Sequence, residues 1–519
     1  VIGSHSSVTA DAMSAVTYVS LTGSSSITLN DNINAGISVG VYSYSGNITL
    51  NDDITAGTCV NIISISGTIT QAAGTITSGT YTTLDSTGTS TIRSINSGDE
   101  INFNVNTSAT YNLGSSTIVA DGDVAIQAAA IVNANTSTWQ VGGNWTNSGL
   151  FTADTSTVTF NGTGTQTLNP GSSSFYGLTI SNTTANGVQV ATNNLTVTNA
   201  LTISSNGLLD LQAKNLTATG ATFSNLGTLK LEGGQTITGL TVDTDSGTVY
   251  YDGASTYSQL VAGDTYYNLT INGAGTWTLD AAPTINNDFT FTGGTLDPAT
   301  FTIATTGDFI QNGGVISTAG NVTINATGDF NRTSGTITTT GGNLVITGAN
   351  VTAGGITVSG ASKNLNITAN AASSAFMVNG DISVNSGSMT LTTNEQGTFN
   401  QTSGTISSTT GAIYIRNSTV GSGVGNIFTI GDVTSGGELW ICYIPYAITI
   451  NGNLSAAGKI YIDYDAGGIE INGDITTTSG EIEFYGYSSG NFTQNSGTIS
   501  TTGSGTNVEV IGSHSSVTA

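Results

Sequence analysis

Basic residues are nearly missing from this chain of 519 residues: seven Lys and Arg stand against 32 Asp and Glu, and only 8% of positions are charged. An average globular domain carries roughly 25%. The formal charge of −25 repels phosphate backbones, which excludes nucleic acid as a partner. Binding to an anionic membrane surface needs Lys and Arg clusters, and there are none. Helices draw on Ala, Leu, Glu, Lys, Gln and Arg, so a chain this poor in long charged side chains sustains few of them. It does not read as an ordinary helical enzyme.

Cysteine and proline are scarce as well. Cys59 and Cys442 are too few for a disulfide framework and are expected to be small buried hydrophobes. Four prolines are fewer than an extended linker would carry. No apolar run reaches the roughly 18 residues of a membrane-spanning helix, so no membrane insertion is expected. The first residue is Val1, with no charged segment leading into an apolar one, so the expectation is a secreted mature product or an excised piece.

What fills the chain is Gly, with 69 residues, together with Thr, Ser and Asn, while 37% of residues are hydrophobic. The hydrophobic residues alternate with Thr and Ser in short runs such as NITLN at 47–51, TVTF at 157–160 and AITIN at 447–451. Period two with β-branched residues means strand. Asn379-Gly380, Asn472-Gly473 and Asp252-Gly253 supply the backbone angles of tight turns between the runs. The chain is therefore all-β.

The strands recur at a fixed interval. LNDNINAG begins at Leu29, LNDDITAG at Leu50 and QAAGTITSG at Gln71, each 21 residues on; GDFIQNGGVIST at Gly307 and GDFNRTSGTITT at Gly328 repeat the interval. Related units begin at Gly397 and Gly490. A period of 21 to 23 residues without helix is too short for a propeller blade but suits one coil of a parallel β-helix, or β-solenoid. Each strand then hydrogen-bonds to its equivalent one coil away. Inward positions stack as apolar ladders and outward positions as Thr, Ser and Asn, because identical charges one coil apart would repel.

Residues 1–10, VIGSHSSVTA, are identical to residues 510–519. The separation of 509 residues suggests a tandem or head-to-tail repeat, with the whole of 1–519 as one continuous solenoid and Val1, Ile2, Val510 and Ile511 as assembly residues. At about 22 residues per coil, 509 residues give about 23 coils and roughly 110 Å of rod. The expected partner is the protein itself.

Residues 143–180, GNWTNSGLFTADTSTVTFNGTGTQTLNPGSSSFYGLTI, together with the GDF and NGDI units, resemble the repeat regions of large secreted bacterial surface proteins of the filamentous haemagglutinin type. The resemblance rests on composition and repeat style over nearly the whole chain. It implies a right-handed β-helix at the cell surface, acting as a fibre, stalk or adhesin.

Catalytic alternatives are poorly supplied. β-Helical polysaccharide enzymes use carboxylates with Arg or Lys, and the chain offers only Arg93, Arg332, Arg416, Lys214, Lys230, Lys363 and Lys459. Arg332 reads as surface variation in a repeat. His5 and His514 occupy the same place in the two identical decapeptides, one position counted twice if the ends overlap, beside serines but within no nucleophile motif. No catalytic residue and no cofactor is expected. Asp463 with Asp465, and Asp121 with Asp123, are weak calcium candidates, with Asx turns the simpler reading. Asn47, Asn144, Asn161, Asn268, Asn321 and Asn491 head Asn-x-Thr triplets. The segment 438–450 concentrates Trp440, Cys442, Tyr443, Pro445 and Tyr446; it reads as a strand covered on both faces, or as a lateral contact for another filament or a glycan. Tyr250, Tyr251, Tyr266 and Tyr267 raise the same question.

Overall fold

The computed structural model describes residues 7–103, 108–418, 427–444 and 446–518. Val1, Ile2, His5 and Pro445 lie outside them. The fold is all-β, with no helix among the described residues. Parallel strands stack into a β-solenoid of about 24 turns in all. The chain divides into two compact units, Val1–Tyr250 and Tyr251–Ala519.

In the first unit one coil is three short strands. Val8–Ala10, Met13–Ala15 and Tyr18–Gly23 are followed by Ile27–Leu29, Ile33–Ala35 and Ser38–Ser43, and each strand pairs with its counterpart one coil on. The 21-residue interval sets the register directly, so identical positions meet. Ile27, Ile48 and Ile69 form one buried inward column, and Thr28, Thr49 and Thr70 the outward column beside it. Burying each Ile contributes about 1.5–3 kcal/mol, which offsets the ordering of strands only three residues long. Further along, the core is filled by rings: Trp139, Trp145, Phe151 and Phe175 meet edge to face at centroid distances of 5.1 to 5.8 Å, with Phe151 tilted against Phe175 at 5.9 Å.

The second unit uses the same coil. Phe289, Phe309 and Phe330 stack inward at 5.1 and 5.2 Å, and Phe376, Phe399 and Phe428 at 5.1 and 5.7 Å. Tyr251 and Tyr266 are wholly buried here. Tyr251 Oη accepts the Ala262 N–H at 3.0 Å, and burial raises its phenol to about 12. These two tyrosines are core, not contact residues, whereas Tyr250 and Tyr267 are half-buried.

Turns are tied along the axis by side chains. The Asp308 N–H donates to Asp288 Oδ1, the Asp329 N–H to Asp308 and the Asn350 N–H to Asp329, at 2.8, 2.8 and 3.1 Å. Acidic residues thus do stack one above another, contrary to the expectation of neutral ladders only. Each carboxylate accepts an amide proton from the next coil, and that bond offsets the repulsion. Asn47, Asn144, Asn268 and Asn321 accept N–H groups in the same way.

A second device closes one corner of the coil. Gln71, Gln401 and Gln494 turn their amides toward the backbone and donate Nε2–H to the carbonyls of Gly74, Gly404 and Gly497, three residues on, each at 2.8 Å. Those glycines have φ of 76°, 78° and 82°, the left-handed region. Arg332 takes this position in its repeat. It is buried, its guanidinium donates to the Gly335 carbonyl, and burial lowers its pKa. The reading of Arg332 as surface variation is therefore wrong. A polar residue at a corner can face inward because the turn presents it with carbonyls.

Candidate functional site

Two regions of the second unit stand apart from the neutral polar surface. The first is built on the strands Ile413–Asn417, Leu439–Cys442, Ile460–Tyr464 and Ile482–Gln494, which pair in parallel. Inward positions Leu439, Ile441, Ile460 and Ile462 are buried, which turns the alternate positions outward. Register then stacks Tyr414, Trp440, Tyr461 and Glu483 in one outward column.

Trp440 and Tyr461 lie 4.8 Å apart between centroids, and both are half-buried. Trp440 Nε1 donates to Glu438 Oε2 at 2.9 Å. Lys459 pairs with Glu483 and holds its ammonium 6.0 Å from the Trp440 ring and 5.5 Å from the Tyr461 ring. This cation–π arrangement spans two coils. Burial, followed by the Asp463 charge, raises the Tyr461 phenol well above its usual range.

At the end of the strand Leu439–Cys442, Tyr443 has φ of 61°, and Cys442, Ile444 and Asp463 are buried. The Ile444 N–H donates to Asp463 Oδ1 at 3.3 Å. The strand of segment 438–450 is thus covered on both faces at its Cys442 end, but its outer face stays open at Trp440. Tyr443 is exposed and Tyr446 half-buried. Sequence reading missed Tyr461, Lys459, Glu438 and Glu483. The signal was available, since Tyr461 lies one 21-residue interval beyond Trp440.

Burial raises the Asp463 carboxyl to about 6 from an ordinary 3.8, against the N–H groups of Ile444 and Tyr443, which lower it. The folded state therefore holds this proton more tightly than the unfolded chain. Its stabilising effect is complete below about pH 4 and is lost as pH rises through about 6. Asp463→Asn is expected to be more stable than the parent by about 3 kcal/mol at pH 7, with most of the difference gone near pH 4. Denaturant melts at the two pH values check this, and a less stable variant at pH 7 would contradict it.

Asp465 accepts the hydroxyl of Ser488, Asp123 Oδ1 accepts the Asn144 N–H at 2.6 Å, and Asp121 is exposed. Asp123 belongs to the turn ladders described above. Among the described residues no group of three or more His, Cys, Asp or Glu is placed to hold a metal ion. Cys59 and Cys442 are free and buried, and burial raises the Cys442 thiol to about 12.

The second region is the last strand, Val508–Thr518. It pairs in parallel with Ile482–Gln494, setting Val508 on Ile482, Val510 on Phe484 and Val517 on Phe492. All three valines occupy inward positions. Their relative exposures are 44%, 38% and 57%, against 0%, 0% and 2% for the residues beneath them. Of the four expected assembly residues Val1 and Ile2 lie outside the described residues, Val510 takes an inward position on Phe484, and Ile511 pairs with Tyr485 in the outward column.

Comparison of the chain with family models, curated proteins and solved structures finds no match. The fold itself places it among β-helical repeat proteins.

Proposed function

We propose that this chain is a structural protein whose solenoid coils stack end to end with further copies of the same sequence into an extracellular filament or sheath, of the kind formed by large secreted bacterial surface proteins. The supporting observation is the in-register stacking of like positions along the coil, Ile27 on Ile48 on Ile69 and Phe289 on Phe309 on Phe330, in a chain that writes the same ten residues at 1–10 and 510–519. A coil built this way pairs through its backbone edge with any further strand set of matching register. Outward columns of Thr, and turn ladders of Asn and Asp, keep the flanks polar with few charges. The reading assigns the chain no catalytic step and no cofactor. Its location is outside the cell, at the surface.

Electron microscopy of the purified protein tests the proposal. Fibres with an axial repeat of roughly 110 Å, about 23 coils at the strand spacing, are expected. Discrete particles over a wide range of concentration would overturn it. They would favour the second reading, a monomeric adhesin stalk, for which the Trp440–Tyr461 face is the observation: two half-exposed rings could stack on a glycan or on a neighbouring filament.

A further inference from the structure

Three successive coils of the first unit turn one corner with different lengths of chain. The strand Ile69–Gln71 is joined to Thr75–Ser78 through Ala72, Ala73 and Gly74, and the strand Ala109–Asn112 to Thr117–Ala120 through residues 113–116. Between them Thr89–Thr91 reaches Ser94–Ser97 through Ile92 and Arg93 alone. The two longer turns stand as walls on either side of the short one, and the groove so formed holds about 490 Å³. The wall backbones lie two strand spacings apart, roughly 9.6 Å.

Both walls are fastened to the floor. Gln71 is buried; its Nε2–H groups donate to the Gly74 carbonyl at 2.8 Å and the Ser94 carbonyl at 3.2 Å, while its Oε1 accepts the Arg93 N–H at 3.0 Å. On the other side the buried Ser116 hydroxyl bridges the Leu113 and Ile92 carbonyls, 3.0 Å from the latter. The groove therefore has its shape before anything enters it, and a ligand need not order it. In the second unit Gln401 makes the same bonds, donating to the Gly404 and Asp432 carbonyls at 2.8 and 3.0 Å and accepting the Gly431 N–H at 3.0 Å. That corner has Gly431 in the place of Arg93 and Asp432 in the place of Ser94. The glutamine is thus a device of the fold, whereas the guanidinium belongs to this groove.

Arg93 is exposed in a chain whose formal charge is −25. Among the described residues, ion pairs join Lys230 to Asp210 and Lys459 to Glu483, and none reaches Arg93. Around it the groove is lined by the hydroxyls of Thr91, Ser94 and Ser115 and by the amide of Asn112. Asn112 accepts a bond from Asn133 Nδ2 at 2.8 Å, so its own Nδ2–H groups remain as donors. We propose that this groove binds a linear saccharide that carries carboxylates, with Arg93 as the charged contact. The proposal stands apart from end-to-end assembly and from the Trp440–Tyr461 face, which belongs to the other unit.

Width and lining select that ligand. Less the thickness of its walls, the groove admits one sugar chain edge-on and excludes an α-helix, which with its side chains needs roughly 10–12 Å. The planar guanidinium fork meets a carboxylate through two parallel bonds, and the hydroxyls and amide exchange hydrogen bonds with sugar hydroxyls. An extended peptide finds less here. It would dock through backbone bonds to an open strand edge, but these coils already pair with the coils on either side. Nor does the groove offer its side chains an apolar recess, since Ile92 and Leu113 are buried in the core.

Calorimetric titration of the whole chain with two matched trisaccharides tests the proposal. One is the β-1,4-linked trimer of glucuronate and the other the corresponding trimer of glucose, which differs only in lacking the carboxylates. The glucuronate trimer should bind on the order of 10-fold more tightly or better, and Arg93→Gln should remove that advantage. The substitution keeps the backbone N–H that Gln71 holds, and an unchanged circular dichroism melt checks that the fold survives. In hydrogen exchange, peptides covering 91–94 and 113–116 should slow with the glucuronate trimer, while those covering 431–453 keep their rates. Equal affinity for the two trimers, no binding of either, or undiminished binding by Arg93→Gln would overturn the proposal. Acetate competing at the concentrations at which the trimer binds would also overturn it, by marking a site for a bare carboxylate. A triglutamate peptide binding as tightly as the glucuronate trimer would overturn it in favour of a peptide groove.

Discussion

Phe309→Ala should lower stability by about 3–5 kcal/mol, the cost of removing a buried ring whose space cannot collapse. Phe309 lies in a column between Phe289 and Phe330, 5.1 Å from one and 5.2 Å from the other, and all three are buried. In a layered globular core, neighbours from several directions can move into a void. Here the rings above and below are held at the coil spacing by their own backbone ladders, pairing Phe289 with Phe309 and Phe309 with Phe330. The cavity therefore persists, and the contacts on both of its faces are lost together. Because coils contact only their neighbours, the loss should be local. Exchange of amides in strands Phe289–Phe291, Phe309–Thr318 and Phe330–Thr339 should quicken, while strands many coils away keep their rates. A loss below 1 kcal/mol would show that the column is not a load shared through stacked rings.

Gly57→Ala should cost about 3 kcal/mol, although it adds one methyl group. A Cβ at Gly57 would meet the carbonyl oxygen of Gly36 at 2.1 Å, and one at Gly79 would meet that of Gly57 at 2.0 Å. These glycines form a column in which each backbone sits directly on the one before. The methyl group can be accommodated only by parting two coils, which stretches the ladders of the adjacent strands Ile54–Ala56 and Cys59–Ser64. Val16, at the same place in the first described coil, carries a side chain and is exposed. Thermal melting and exchange at the Thr58 amide, which donates to the Ile37 carbonyl at 2.7 Å, would measure the effect. A variant as stable as the parent would contradict the close approach.

These positions show what could be read from the residues and what could not. The columns Ile27, Ile48, Ile69 and Thr28, Thr49, Thr70 were legible because a constant interval of 21 residues places like on like. Inward and outward then follow from alternation alone. Alternation fails at corners, where a side chain is sorted by the backbone groups it meets. Arg332 is polar and faces inward because Gly335 offers a carbonyl there. Asp288, Asp308 and Asp329 stack despite like charge because each receives an amide proton. The Trp440–Tyr461 pair needed the interval to be applied to a segment that had been considered alone. The Ile444 amide meets Asp463 just past Tyr443, a tyrosine in the left-handed region, for which the sequence carries no glycine signal.

The most direct test of the account is X-ray diffraction from an aligned specimen of the assembled protein. Strands that lie across the axis and repeat along it, through the joints between copies, predict a strong reflection at about 4.8 Å along the filament axis, with a longer axial repeat of roughly 110 Å. A strand-spacing reflection at right angles to the long axis, as a row of separate sandwich modules would produce, would contradict it.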